Sequence, residues 1–168
     1  MVNNTLIKIG DIIQSSTDAN PLIMGIVLGG IITVVGTAPL SSMALTALLG
    51  LTGAPMAIGA MAAFSSAFMN SALFHRLKLG DRKSTISVGI EPLSQADIVS
   101  ANPIPIYVTN FFGGAIAGII IAWSGMINNA TGTATPIAGF LVMFGFNSLT
   151  KVIIYGVVMA IIGTIAGI

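Results

Sequence analysis

The chain carries almost no charge where a water-facing surface would need it. From Ala19 to Phe74 there is no Asp, Glu, His, Lys or Arg, and from Ile98 to Thr150 there is none again. Soluble surfaces need scattered charges throughout. Two uncharged stretches of more than fifty residues each therefore read as membrane-embedded protein, and each has room for about two passes at ~20 residues per helix. Cysteine is absent too, which removes thiolate catalysis, disulfides and Cys metal sites together. One histidine cannot build a His-rich metal centre, so no metal and no cofactor are expected. A soluble enzyme is disfavoured, because Glu91 and Asp97 stand six apart beside no second catalytic group. The net charge of +1 gives no support to nucleic-acid binding.

What is present agrees. Charged residues make up 7% of the 168 positions, against roughly 25% in a typical soluble domain. Mean hydropathy is +1.00. The expected fold class is all-α: a polytopic transmembrane helical protein with broken helices or re-entrant segments, in one membrane-embedded domain over residues 1–168. Twenty glycines point to helices whose backbones approach closely.

Residues 1–18 lack the basic, apolar, small-residue order of a cleavable signal. Leu6, Ile7, Ile9, Ile12 and Ile13 alternate with Asn4, Lys8, Asp11 and Gln14 at roughly helical spacing. That predicts a short amphipathic helix, at the interface or packed on a neighbour. A plain lead-in to the first span is the alternative. Asp18-Ala19-Asn20-Pro21 reads as a helix start, with Asp or Asn as cap. The runs Leu22–Val35 and Leu40–Leu51 are short and are interrupted at Gly36–Pro39 and Thr52–Pro55. They fit either kinked spanning helices or a broken, re-entrant pair, which often marks a transport site. Met56–Phe74 is long enough to span.

His75 to Lys83 holds four of the six Lys and Arg residues, and the positive-inside rule places it in the cytoplasm. Ser84–Ser100 is too polar for a lipid-facing helix and too apolar for a free loop, and residues 75–97 read as a cytoplasmic basic loop plus a segment that carries Glu91-Pro92. Ile106–Trp123 reads as a span, Ser124–Thr135 as a polar loop, Pro136–Phe146 as a run too short to cross, and Val152–Ile168 as a last span. Lys151 is expected at an interface or in a cavity. There is also an internal echo. Asn20-Pro21 and Asn102-Pro103 both open apolar runs, Gly29-Gly30 and Gly113-Gly114 follow, and Thr37-Ala38-Pro39 has a counterpart in Ala134-Thr135-Pro136.

Glu91 is the strongest candidate for function. Pro92 disfavours the α conformation at Glu91. Extended backbone there leaves peptide groups and a carboxylate free to face a cavity, and a carboxylate accepts from several hydroxyl donors at once. That suits a sugar or polyol. A solvated loop acid without a task is the plain alternative.

Gly89-Ile90-Glu91-Pro92, followed by Asn102-Pro103-Ile104-Pro105, resembles the signature of the membrane (EIIC) subunits of the bacterial phosphoenolpyruvate-dependent sugar phosphotransferase system. Gly36-Thr37-Ala38-Pro39-Leu40-Ser41-Ser42 with Phe74-His75-Arg76-Leu77-Lys78-Leu79-Gly80 is similar to its EIIC-like branch labelled predicted regulatory. The resemblance implies that Glu91 hydrogen-bonds a sugar from a re-entrant segment. Gly89 and Pro92 of the motif, with Asn102, Thr37, Ser41 and Asn70, are the expected substrate-site residues. Ser42, Thr109, Asn110 and Asn147 are further candidates for polar lining, the alternative for all these Ser, Thr and Asn residues being bonds from helix to helix or to their own backbone. It also implies a multi-pass protein of the bacterial cytoplasmic membrane, a small polar solute and the lipid bilayer as partners, a homo-oligomer, and phosphoryl carriers (EIIA and EIIB) on separate proteins. The chain is about half the length of a complete member, which fits either a fragment or a half that pairs with itself. It departs from the pattern in lacking a polar residue between Ile90 and Glu91, and in having no upstream sugar-contacting His. A non-transporting regulatory or assembly subunit is therefore the alternative function. A channel with a ring of Glu91 or Asp97 is a third reading.

Overall fold

The computed structural model describes residues 2–17, 20–38 and 40–168. All regular structure there is helical apart from one bridge between Gly53 and Asn128. Asp18, Ala19 and Pro39 lie outside the described residues, as do the side chains of Asn4, Leu6 and Gln14.

The amphipathic lead forms α1 (Val2–Thr17), which buries Ile13 and leaves Ile7 and Ile12 exposed. α2 (Pro21–Thr37) starts as the Asn-Pro pair predicts, with Asn20 Oδ1 accepting the Ile23 N–H at 3.0 Å and Pro21 in the first turn. At 17 residues it is about 25 Å long, short of the ~30 Å hydrocarbon core. After the interruption comes only the seven-residue α3 (Ser42–Leu48), capped by Ser41. The broken reading of this region is the one the chain adopts.

Among the described residues, three helices are long and apolar enough to cross a membrane: α4 (Gly53–Leu77), α7 (Pro103–Ser124) and α9 (Leu149–Gly167). α4 outruns its apolar core at both ends, because Gly53 and His75–Leu77 continue the helix. Lys78 then adopts a left-handed conformation (φ 54°) and Gly80 follows at φ 68°, so the chain reverses. The segment between Ser84 and Ser100 folds as α5 (Arg82–Ile90), a 3₁₀ turn (Pro92–Gln95) and α6 (Ala96–Ala101). Beyond α7, the polar loop leads into α8 (Pro136–Val142) and a second 3₁₀ turn, Met143–Gly145.

Pairwise contacts fix the directions. Ser65 and Met69 on α4 meet Gly163 and Gly167 on α9, so these helices run parallel. Gly53 pairs with Asn128 just beyond α7, and Asn70 meets Asn110, so α4 and α7 are antiparallel. α2 is antiparallel to α7: Gly25 faces Gly118, Gly29 faces Gly114 and Thr33 faces Asn110. A methyl group added at Gly29 would fall on the Gly114 carbonyl oxygen, and one at Gly118 on that of Gly25. Only glycine permits such backbone contact, the small-xxx-small mode of helix association in lipid. The two Asn-Pro helices of the internal echo are therefore packed head to tail against each other.

It follows that α2 and α4 run the same way, and the chain must return between them. α3 makes that return. α5 likewise turns back along α4, with Gly89 against Ala67 and Ser71. A third turn-back lies between α7 and α9. Its mouth is closed where Asn147 Oδ1 accepts the Ile127 N–H (3.0 Å) and its Nδ2 donates to the Ile127 carbonyl (2.8 Å). Inside it, Phe140 stacks on Phe64 of α4 with centroids 4.1 Å apart.

Candidate functional site

The three turn-backs meet about halfway along α4. Ser42, at the start of α3, donates its hydroxyl to the Ala134 carbonyl at 2.7 Å, which ties the first tip to the third. Glu91 and Pro92 stand at the tip of the second. Between the tips lies a cleft of about 60 Å³, room for a few waters. Glu91, Pro92 and Leu93 form one wall, Ser41–Met43 another, and Ala134–Pro136 a third. Its floor is Ile32 and Gly36 of α2 with Ala63 and Ser66 of α4.

Glu91 takes the extended backbone that a following proline favours (φ −144°, ψ 98°). Its N–H still bonds the Ser87 carbonyl at 2.9 Å, ending α5, and its carbonyl accepts from Ser94. The carboxylate is exposed, with one long contact to the Leu93 N–H at 3.4 Å. Most of its acceptor capacity therefore remains free. Ser41, Ser42, Ser66 and Thr135 line the same cleft. Ser66 already donates to Ala63 O (2.7 Å), and Thr135 Oγ1 accepts the Gly139 N–H (3.1 Å). Each keeps a lone pair or a rotatable proton for a ligand.

Of the residues singled out from the sequence, Glu91, Pro92, Ser41 and Ser42 come together here. Thr37 and Asn70 do not line the cleft. They form, with Asn110, a fully buried network that joins α2, α4 and α7. Asn110 Nδ2 donates to Asn70 Oδ1 at 2.7 Å, Asn70 Nδ2 donates to Thr37 Oγ1 at 3.2 Å, and the Thr37 hydroxyl donates to Thr33 O at 2.8 Å. Thr33 Oγ1 in turn lies 2.7 Å from the Asn110 carbonyl. No buried side-chain polar atom among the described residues lacks a partner. Gly89 is the close-approach point of α5 on α4. Asn102 sits at the α6–α7 junction, donating to Ile98 O at 3.0 Å. Thr109 is not among the lining residues, and Asn147 closes the loop mouth.

Ser66 and Thr135 were not singled out beforehand. Each had a signal: Ser65-Ser66 is the one hydroxyl pair inside the third apolar run, and Thr135-Pro136 repeats the break at Thr37–Pro39. Asp81, outside the helical bundle, caps α5. Its carboxylate accepts the Ser84 N–H (2.8 Å) and hydroxyl (2.9 Å), which together hold its carboxyl below the usual 3.8.

Helices of this length and hydropathy, interrupted segments that turn back halfway, and polar groups gathered at their tips define an all-α polytopic membrane protein. The chain matches the family model for the phosphotransferase system, EIIC, over residues 1–168, and it belongs to that family. It is thus a membrane component of the sugar phosphotransferase system. No curated protein and no solved structure matches it.

Proposed function

We propose that the chain is one membrane-embedded unit of an EIIC-like permease that binds a small polar solute, a sugar or polyol, in the cleft at Glu91. The observation that carries this is the convergence of three chain reversals on one carboxylate. A Glu at mid-depth is costly in lipid unless it faces protein or water. Backbone that leaves its helix at that depth is tolerated only where it is buried in protein or lines a water-filled cavity. A carboxylate that shares a cleft with four hydroxyl side chains suits a ligand rich in O–H groups, and a site built on such bonds rejects analogues that lack them. Thr37 and Asn70 hold the floor of the site in place, and Gly89 seats the tip that carries Glu91.

The basic turn at His75–Lys83 lies in the cytoplasm of a bacterial cell membrane. The second reversal then enters from the cytoplasm, and the first and third from outside. Phosphoryl carriers are separate proteins. At about 60 Å³ the cleft is too small to enclose a sugar; pockets that enclose small ligands run to about 300 Å³ or more. Translocation therefore requires the tips to part, and the Ser42–Ala134 contact is the first to break.

The small cleft also favours the second reading, an EIIC-like regulatory or assembly subunit that no longer transports. Uptake of radiolabelled sugars into vesicles holding the full chain separates the two. Solute-specific uptake that Glu91→Gln abolishes supports the permease. Binding without uptake, or neither, supports the regulator.

A further inference from the structure

The outward face of α4 bears a stripe at four-residue spacing: Phe64, Phe68, Ala72 and Arg76. Two hollows run along it. One, of about 290 Å³, lies between the stripe and Ile86 and Ile90 of α5, with Ile137 of α8 at its deep end. The other, of about 580 Å³, lies between the stripe and Thr164 and Ile168 of α9, with His75 and Arg76 at its mouth. Phe68 and Ser71 line both, so the hollows are one groove around α4.

We propose that this groove binds an anionic phospholipid of the leaflet at the basic end, with its phosphate at Arg76 and its acyl chains along Phe68 and Phe64. Three features select that occupant. From Phe64 to Arg76 is twelve residues, about 18 Å of helix, while one leaflet contributes about 15 Å of hydrocarbon. The groove is apolar at its deep end and cationic only at its mouth, which is the polarity of a lipid. Arg76 is the charged side chain that lines the mouth. Arg82 lies one turn before Ile86, on the same face of α5, and Lys78 and Lys83 are exposed in the same basic turn. The nearest carboxylate in sequence, Asp81, is engaged by Ser84. A helix from another protein would use the apolar floor but would leave these cations without a partner. Basic hollows between spanning helices at a cytoplasmic surface are where anionic headgroups bind. This inference needs only a membrane at the basic end and is independent of solute transport.

The test uses the purified full chain, with native mass spectrometry to follow titration by phosphatidylglycerol and by phosphatidylcholine. Phosphatidylglycerol is expected to bind at least several-fold more tightly. Arg76→Ala and Arg82→Ala, both exposed positions, should each weaken it about fivefold and leave phosphatidylcholine unchanged. Ala72→Trp, which fills the groove, should weaken both lipids. Lys151→Ala, at the opposite end, should change neither. Equal affinity for the two lipids would overturn the proposal, and so would a phosphatidylglycerol preference that survives the double arginine variant. Efficient disulfide cross-linking of two Ala72→Cys copies in membranes would overturn it as well, because a second chain would then fill the groove.

Discussion

Gly36 and Thr37 are neighbours on α2 and face opposite kinds of environment. Gly36 borders the cleft, where a carboxylate and several hydroxyls have capacity to spare. Thr37 joins the seam of α2, α4 and α7, where every polar atom is matched and glycine backbones touch. One turn of α4 separates the same two regimes, at Ser66 and Asn70. The seam shows how polar groups serve as glue in lipid: they are few, fully paired and surrounded by small residues. The cleft shows the reverse, spare acceptor capacity, above all on Glu91, kept where the backbone is interrupted. Residue type alone does not separate the two. Pairing does.

Substitutions should therefore act on stability in the seam and on solute handling at the cleft. The largest effect is expected at Gly29. Gly29→Leu should abolish recovery of folded protein, and Gly29→Ala should cost about 1–3 kcal/mol, because the added methyl meets the Gly114 backbone. Gly145→Ala, with open space around it, should leave the thermal midpoint unchanged. Next comes Asn110→Leu, which strips Asn70 of its donor. We expect a loss of about 1–2 kcal/mol by thermal or denaturant unfolding in detergent. A neutral result would show that water reaches the seam. Ser42→Ala removes one hydrogen bond between two tips and should cost only about 0.6 kcal/mol, the average for such bonds in lipid. Its larger effect should be faster thiol labelling of an introduced Thr135→Cys, since the tips part more easily. The smallest effect lies outside both regions. Asp81→Ala should speed amide exchange at Ser84 without changing the thermal midpoint. Because the Asp81 carboxyl sits below its ordinary value, its capping contribution is complete above pH ~4 and is lost as pH falls through the depressed value.

The helical membrane class was legible from charge spacing alone, and the start of α2 from Asn20-Pro21. So was the extended backbone at Glu91, because Pro92 acts locally. The breaks at Gly36–Ala38 and Thr135–Pro136 were visible as interruptions, but their meaning depended on direction. Nothing in a run of apolar residues says whether the next segment continues outward or turns back. That is set by which faces match, and the matching of Gly25 and Gly29 with Gly118 and Gly114 is a tertiary fact. For the same reason Thr37 and Asn70 could not be told from Ser41 and Ser42 as lining residues. Short polar side chains in lipid look alike in sequence, whether they bond another helix or a ligand.

The account rests on water reaching Glu91 between tips that meet at mid-depth. The chain has no cysteine, so single replacements read this directly. In membrane vesicles, Glu91→Cys and Ser42→Cys should react with a charged, membrane-impermeant thiol reagent applied from one face. Thr37→Cys in the seam and Ile153→Cys on the outer face of α9 should stay unlabelled. A Glu91→Cys variant as inert as Ile153→Cys would contradict it.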